Sequence, residues 1–231
     1  MPLHVSNLVA GYGGNPVLEE VSFDLEDGEI IAFFGHNGAG KSTTIKAVLG
    51  LIPTLGGQIV LNGENIERMS IGARLARGIR LLPEGRGVFP DLSVRENLEV
   101  VAAASPSVQG GLSVSDVCDL LPLLAERSRT IAGELSGGQQ QMLALGIVLL
   151  GAPRCLLLEE PSVGLQPDLV EHLFEKIKNV CSELKIPAIL IEHKIVSALK
   201  ISDQVMIINS GRLVFQGTKA EARDINLWDY F

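Results

Sequence analysis

The stretch that decides the fold reads Gly35-His36-Asn37-Gly38-Ala39-Gly40-Lys41-Ser42. It follows the apolar run 29–34, a predicted strand buried on both faces, and precedes a helix predicted from Lys41 to Gly50. The pattern G-x-x-x-x-G-K-S/T in this context is typical of a phosphate-binding loop. Its glycines let backbone N–H groups point at phosphate oxygens, and the helix N-terminus adds positive potential. Lys41 is predicted to hold the β- and γ-phosphates and Ser42 to ligate Mg²⁺. The strand and helix on either side disfavour the alternative, a plain glycine-rich turn.

Two adjacent carboxylates end a second apolar strand. The run 155–158 leads into Glu159 and Glu160, which Pro161 follows. This segment looks like a Walker B strand, in which one acid anchors Mg²⁺ through its water shell and the next polarises the attacking water as general base. The alternative is an ordinary solvated pair of acids at a strand end.

A third segment identifies the family. Leu135-Ser136-Gly137-Gly138-Gln139 resembles the LSGGQ signature of ABC ATPases and lies between the phosphate loop and the acidic strand. Ser136 is predicted to cap the next helix while its hydroxyl and the glycine amides face an anion. The whole chain therefore resembles the ATP-binding subunit of an ABC transporter, which implies an ATPase that uses ATP and Mg²⁺ to drive transport.

The resemblance implies a set of site residues. Lys41, Glu160 and His193 would be catalytic, with His193 matching the switch histidine near the γ-phosphate; a lone strand-end histidine is otherwise structural. Tyr12 would stack on adenine, although by itself it is typical of a turn. The implied ATP contacts within one subunit are Tyr12, Gly35, His36, Asn37, Gly38, Ala39, Gly40, Lys41, Ser42, Thr43 and Glu84. The implied contacts across a dimer are Ser136, Gly137, Gly138 and Gln139, and the implied metal ligands are Ser42, Glu159 and Glu84.

The finer resemblance is to the LivF-like ATPases of branched-chain amino acid importers. The matching stretches are Ala10–Gly13, Pro83–Arg86, Val88–Pro90, Leu92–Leu98 and Pro161–Leu165. Importers of urea and short amides share this pattern. Three residues depart from it: Glu159 stands where the family usually has Asp, Glu84 replaces the usual Gln as the subgroup tends to, and His193 stands where LivF-like proteins often have Gln.

The chain is predicted to be one α/β domain with a P-loop NTPase core and a mostly parallel sheet, because strands and helices alternate along its last third. The predicted strands are 21–25, 29–34, 58–61, 155–159, 188–191 and 204–208. The predicted helices begin near 41, 93, 113, 137, 168 and 194. Ser93 and Glu96 have the spacing of a capping box. The helix from 168 is predicted to be amphipathic, with one apolar stripe made of Leu169, Leu173, Ile177, Val180 and Leu184. The resemblance adds an antiparallel β portion near the N-terminus. It also adds a helical subdomain at residues 85–150, inserted between the core segments 1–84 and 151–231.

Composition limits the function classes. The 231 residues carry a formal net charge of −8, which argues against a nucleic-acid partner bound through a broad basic surface. The three scattered cysteines, Cys118, Cys155 and Cys181, are interpreted as buried thiols rather than a zinc site or a disulfide framework. The longest apolar run, 142–152, is too short for the roughly 20 residues of a membrane span, so any membrane role is expected to need a partner.

The resemblance also implies the partners and the location. We expect peripheral attachment to the cytoplasmic face of the cell (inner) membrane through integral-membrane permease subunits. A second ATPase subunit, identical or different, would complete a head-to-tail dimer that sandwiches each ATP. A periplasmic or extracellular substrate-binding protein would act indirectly. Three rival interpretations remain open. One is a non-transport ABC ATPase, but the long coiled coils or zinc modules of such proteins have no room in this chain. The others are an exporter ATPase, which the stretch Pro83–Arg86 disfavours, and a catalytically dead binding module.

Overall fold

The computed structural model describes residues 2–85, 87–104 and 111–224. The strands are β1 (Leu3–Tyr12), β2 (Asn15–Leu25), β3 (Ile30–Phe34), β4 (Thr54–Leu61), β5 (Glu64–Asn65), β6 (Ile79–Leu82), β7 (Cys155–Glu159), β8 (Ala188–Ile191), β9 (Gln204–Asn209) and β10 (Arg212–Thr218). The helices are α1 (Lys41–Leu49), α2 (Ile71–Ala76), α3 (Val94–Ala104), α4 (Val114–Leu120), α5 (Pro122–Glu126), α6 (Gly137–Leu149), α7 (Pro167–Leu184), α8 (Ile195–Ile201) and α9 (Lys219–Asp224). Within these ranges, none of the helices combines the length and the apolar character that a membrane span needs.

Two sheets organise the chain. The larger sheet has the order β10-β9-β3-β8-β7-β6, with β10 antiparallel at one edge and the other five strands parallel. The smaller sheet has the order β2-β1-β4-β5 and is antiparallel throughout. The predicted fold class, a mostly parallel sheet with an antiparallel portion near the N-terminus, is confirmed.

The larger sheet is buried on both faces because successive side chains of a strand point to opposite sides. In β3, Ile30, Ala32 and Phe34 pack into a core with α3 to α7. Ile31 and Phe33 pack into a second core with α1 and the smaller sheet. Helices α3 to α6 therefore share a continuous core with the central sheet. The division of the chain at residues 84/85 and 150/151 stays a prediction.

Several local expectations can be compared with the structure. The capping-box pattern at Ser93 is confirmed, since Glu96 N donates to Ser93 Oγ at 3.2 Å and Ser93 N donates to Glu96 Oε2 at 2.7 Å.

The prediction that Leu169 belongs to the apolar stripe of α7 that faces the core is wrong. Leu169 is 39% exposed in the first helical turn, and Val170 and Phe174 face the core instead. The N-terminal strands are longer than predicted, because β2 begins at Asn15 rather than Val21.

Arg74, on α2, holds the C-terminal end of α1. Its guanidinium is almost fully buried, at 1% exposure. Nη1 donates to the carbonyls of Ala47 at 2.7 Å and Val48 at 2.8 Å, and Nη2 donates to the carbonyl of Glu67 at 2.9 Å. Burial lowers the pKa of Arg74, and the charge of Glu67 partly offsets that effect. A cation here also faces the negative end of the α1 dipole. Arg74 therefore fixes α1, the helix that follows the phosphate-binding loop.

We predict that Arg74→Met lowers the free energy of unfolding by on the order of 3 kcal/mol, because buried carbonyls lose their donors. Urea denaturation followed by circular dichroism measures this. The matched control is Arg77→Met, since Arg77 bonds to Glu64 at the surface, and its midpoint should stay near that of the wild type. Equal midpoints for both variants would contradict this account of Arg74.

Candidate functional site

Three strand ends meet at one edge of the larger sheet. Strand β3 pairs with β8, and β8 pairs with β7, all in parallel, so their C-terminal ends lie side by side. The chain leaves these ends at Gly35, Glu160 and Glu192 respectively. Ligand sites of open parallel sheets lie outside such carboxyl ends. The residues predicted from three separate motifs are thus brought to one edge.

The phosphate-binding loop, residues 35–42, depends on glycine at two positions. Gly35 has φ 146°, and a Cβ there would lie 2.2 Å from the carbonyl oxygen of Ile208. Gly40 caps α1 with φ 118°, where a Cβ would approach Leu18 Cδ2 at 2.8 Å. Any larger residue would have to displace β9 or β2. The curl that aims backbone amides inward is therefore built into the packing of both sheets.

Lys41 is the buried cation of this loop, with 6% exposure. Its Nζ donates to the carbonyls of Gly35 at 2.7 Å and His36 at 3.0 Å. Burial lowers the pKa of Lys41, and the charge of Glu160 opposes that effect. Phosphate oxygens in the loop would offer the ammonium stronger, charged acceptors than these carbonyls.

The other residues of the loop and the first turn of α1 differ in their exposure to solvent. Ala39 and Thr43 are buried, and Ser42 is half-buried at the start of α1. His36, Asn37 and Gly38 are exposed. The His36 ring contacts Asn37 O through Nδ1 at 2.8 Å and Asn209 Oδ1 through Nε2 at 3.2 Å, so it is tied to the end of β9. A Cβ at Gly38 would meet nothing within 4 Å, so this part of the loop is open to an incoming group.

Glu160 adopts a backbone conformation that only a fixed environment supports. Its φ is 47°, the left-handed region, which costs a non-glycine residue about 1 kcal/mol. Its amide donates to Ile191 O at 2.9 Å, which holds the residue against the end of β8. Its Oε1 lies 2.9 Å from Nε2 of His193. Backbone outliers of this kind cluster at functional sites, and sequence patterns alone did not indicate this one.

Glu159 and Glu84 lie at the ends of the two neighbouring strands. Glu159 is half-buried as the last residue of β7 and pairs with Ile191 of β8. Glu84 is exposed just after β6. Gln141, from the first turns of α6, donates to the carbonyl of Gly85 at 3.4 Å, so α6 contacts this segment. Arg86, part of the LivF-like stretch, lies outside the described residues.

Tyr12 lies at the tip of the hairpin formed by β1 and β2. It ends β1, pairs with Asn15 of β2 and is 49% exposed. Strand β2 also carries Leu18, which packs against Gly40. The aromatic ring is thus available to solvent on an element that contacts the phosphate-binding loop. Its stacking on adenine stays a prediction.

The signature residues form a helix start. Ser136 caps α6, since its Oγ accepts from Gln139 N at 3.4 Å and Gln139 Oε1 accepts from Ser136 N at 3.0 Å. Gly137 and Gly138 occupy the first turn, and a Cβ at Gly138 would lie 3.0 Å from Leu169 Cδ1. The predicted capping role of Ser136 is confirmed. Its contact with an anion stays a prediction.

Two residues near the site were not singled out by the sequence reasoning. Asn97 is fully buried, accepts from Phe89 N at 2.7 Å, and donates to the carbonyls of Phe89, Leu92 and Ser93. Lys194 reaches from the start of α8 to the loop that follows Glu160. A polar residue on the core-facing side of α3 was the available signal for Asn97.

Comparison with known proteins agrees with this geometry. The family model described as ABC transporter matches residues 18–163. The chain is 36% identical over 209 residues to the high-affinity branched-chain amino acid transport ATP-binding protein BraG of Pseudomonas aeruginosa, covering 90% of this chain and 89% of the relative. It is also 36% identical over 219 residues to the "Probable branched-chain amino acid transport ATP-binding protein LivF" of Archaeoglobus fulgidus, covering 95% and 93%.

A relative with a different described role is also similar. The lipopolysaccharide export system ATP-binding protein LptB of Escherichia coli K12 is 30% identical over 224 residues, covering 95% of this chain and 91% of that protein. A solved structure described as the ATP binding subunit of an ABC transporter superposes with a TM-score of 0.79 at 29% identity, covering 97% of this chain and 92% of that one. Because relatives described for import and for export are both similar to this chain, similarity alone does not identify the transported substrate.

We predict that Lys41→Ala weakens ATP binding at least about tenfold and abolishes hydrolysis, because the loop loses the buried charge that offsets the phosphates. Titration with a fluorescent ATP analogue and a phosphate-release assay measure the two effects. Lys46→Ala, in the last turn of the same helix, is the control and should retain both activities. Near-normal turnover by Lys41→Ala would refute the assignment.

Proposed function

Because the chain belongs to the ABC transporter family and is an ATP-binding, ATP-hydrolysing subunit, we propose that Lys41, Glu160 and His193 form its hydrolytic site. The observation that supports this most is the 2.9 Å contact between His193 Nε2 and Glu160 Oε1. Lys41 lies close enough to Glu160 for their charges to interact. Three strand ends thus supply a cation, a carboxylate and an imidazole to one place.

Each side chain has a distinct role in this proposal. Lys41 exchanges the carbonyls of Gly35 and His36 for oxygens of the β- and γ-phosphates. Glu160, whose side chain is 18% exposed, accepts a proton from the attacking water. His193 orients the Glu160 carboxylate through Nε2 and faces the γ-phosphate. The amides of the phosphate-binding loop and the N-terminus of α1 stabilise the charge on the phosphates.

The donor chemistry at the loop fits Mg²⁺. Ser42 and Glu159 offer a hydroxyl and a carboxylate, the hard oxygen ligands that Mg²⁺ prefers, and the ion usually completes its shell with water and substrate phosphates. Glu84, at the neighbouring strand end, is the third proposed ligand. When bound, Mg²⁺ would neutralise charge between the β- and γ-phosphates.

ABC ATP-binding subunits dimerise and work with membrane permeases, and we propose a head-to-tail arrangement here. Ser136 to Gln139 then complete the ATP site of the second subunit. In the capping box Ser136 Oγ accepts a hydrogen bond, which leaves its own O–H as a donor. This hydroxyl and the amides of Gly137 and Gly138 in the first turn are the groups proposed to meet an anion. The second subunit is either an identical or a different chain.

The permease is proposed to contact the loop around Phe89, which is 48% exposed. Val88 packs on the core and Asn97 fixes the loop backbone, so Phe89 is presented by a rigid support. The same loop bonds to the segment before the signature residues, because Gly133 N donates to Pro90 O at 2.9 Å. Movement at Phe89 would therefore be transmitted to the start of α6.

We further propose that the transport supported is import of branched-chain amino acids, or of a related small amide or urea. The stretch Pro83–Arg86 and the 36% identity to BraG and LivF support this. Attachment would be to the cytoplasmic face of the cell membrane, with a substrate-binding protein on the far side. Lipopolysaccharide export is the alternative, supported by the 30% identity to LptB.

The two transport proposals separate in proteoliposomes that contain the full chain and the permease encoded beside it. We predict that leucine-loaded binding protein raises ATP hydrolysis several-fold and that labelled leucine accumulates inside. Urea-loaded binding protein and added lipopolysaccharide are the comparison arms. Stimulation by lipopolysaccharide with no leucine uptake would favour export and overturn the importer proposal.

Glu159 generates a separate prediction. Glu is longer than Asp by one methylene, so its carboxylate would have to fold back or shift a bound Mg²⁺ by on the order of 1 Å. Misplacement of that size can cost about 100-fold in rate. We expect Glu159→Asp to raise turnover or to lower the Mg²⁺ concentration for half-maximal activity. Glu175→Asp, on an exposed position of α7, is the control. If Glu159→Asp leaves both quantities unchanged or worse, the site is fitted to Glu.

A further inference from the structure

Lys194 joins the two segments that carry the Glu160–His193 pair. Its Nζ donates to the carbonyl oxygens of Ser162 and Leu165, at 3.2 Å each. Both carbonyls belong to the loop that begins at Glu160, whereas Lys194 directly follows His193. The ammonium therefore bridges the chain after β7 and the chain after β8, next to the contact between their side chains.

The other side of His193 is fixed by Glu192. This residue is 3% exposed, and its Oε1 accepts from the amides of His193 at 2.8 Å and Lys194 at 3.1 Å. The backbone that carries the imidazole is thus held at the buried end of β8. The Glu160 amide fixes the first residue of its loop to Ile191 O at 2.9 Å. What remains to be set is the position of the following residues, 162–165, relative to this turn.

The two hydrogen bonds from Lys194 Nζ contribute little to the stability of the fold. Lys194 is exposed, and its side chain makes no cap bond at the start of α8. The carbonyl of Ser162 also accepts from Leu165 N at 3.1 Å, so it keeps a partner without the lysine. Loss of the ammonium would therefore leave the fold and the bond from Glu160 N to Ile191 O intact, and would free residues 162–165 to move relative to the turn of His193.

We propose that Lys194 is a positioning residue for hydrolysis. It ties the turn of His193 to the loop of Glu160, and so keeps Nε2 within hydrogen-bond distance of the carboxylate. This inference rests on the proposed function of Glu160 and His193. Its effect is expected on kcat rather than on the KM for ATP. In the described part of the chain, the hydrogen bonds to these two carbonyls come from Lys194 Nζ and Leu165 N, and none comes from the phosphate-binding loop.

Three variants of the full chain test the bridge. Lys194→Met should lower kcat about tenfold, with KM and melting temperature close to wild type. This is less than the roughly 100-fold that a full 1 Å misplacement can cost, because Glu160 stays bonded to Ile191. Lys194→Arg, which keeps a donor cation, should stay within about twofold of wild type. Lys200→Met is the matched control, because Lys200 lies in α8, the helix that Lys194 precedes. It removes an exposed ion pair with Glu171 of α7 and should leave kcat and KM unchanged.

A double-mutant cycle decides whether Lys194 acts through His193. Single-turnover hydrolysis of radiolabelled MgATP resolves the slow rates of His193→Ala backgrounds. There, adding Lys194→Met should change the rate less than about twofold. An unchanged kcat in Lys194→Met, or an equal loss in both backgrounds, overturns the inference. If His193→Ala itself keeps the wild-type rate, the proposed site fails instead, so the two failures are distinguishable.

Discussion

The structure depends on the parallel pairing of three strands in one register. Strands β3, β8 and β7 end side by side, so the phosphate-binding loop, the turn of His193 and the loop of Glu160 emerge at a single edge. A shift of one residue in any of these strands would exchange its two buried faces and move its terminal side chains away from that edge. Burial of the sheet on both faces makes such a shift costly, and the site geometry follows from this packing.

That packing also holds conformations that local sequence would not choose. Gly35 lies against the backbone of Ile208, Glu160 is left-handed, and Lys41 is buried against carbonyl groups rather than a carboxylate partner. Glycine tolerates the position of residue 35 because it has no Cβ, whereas the left-handed Glu160 and the buried Lys41 each cost on the order of 1 kcal/mol or more. Two apolar cores and the Arg74 anchor at the far end of α1 offset these costs.

Much of this arrangement could be predicted from the sequence, because the motifs are local. The strands around residues 29–34 and 155–159 and the capping boxes at Ser93 and Ser136 are set by apolar runs and short side-chain patterns, and they are found as predicted. Helical spacing alone predicts Leu169 on the apolar stripe of α7, yet its side chain lies against Gly138 in the first turn of α6 and is partly exposed. Spacing within one helix does not indicate how far the neighbouring helix extends to cover it.

Long-range polar contacts were beyond sequence reasoning for a related reason. Arg74 lies 26 or 27 positions after the α1 residues whose carbonyls it bonds, and Lys194 reaches a loop about 30 residues earlier in the chain. Neither contact has a repeating pattern, and in both cases the acceptors are backbone carbonyls whose identity no residue type reveals. The functional roles assigned to Tyr12, Glu84 and the signature residues likewise rest on resemblance, because their proposed ligands come from outside the chain.

The central claim is that the three strand ends form one site for the triphosphate of ATP. The most direct measurement is a crystal structure of the Glu160→Gln variant with MgATP, since the amide keeps the size of the side chain but slows hydrolysis. The account predicts that Lys41 Nζ leaves the carbonyls of Gly35 and His36 for the β- and γ-phosphates, with His193 facing the γ-phosphate. A triphosphate bound elsewhere, with Lys41 still on those carbonyls, would contradict it.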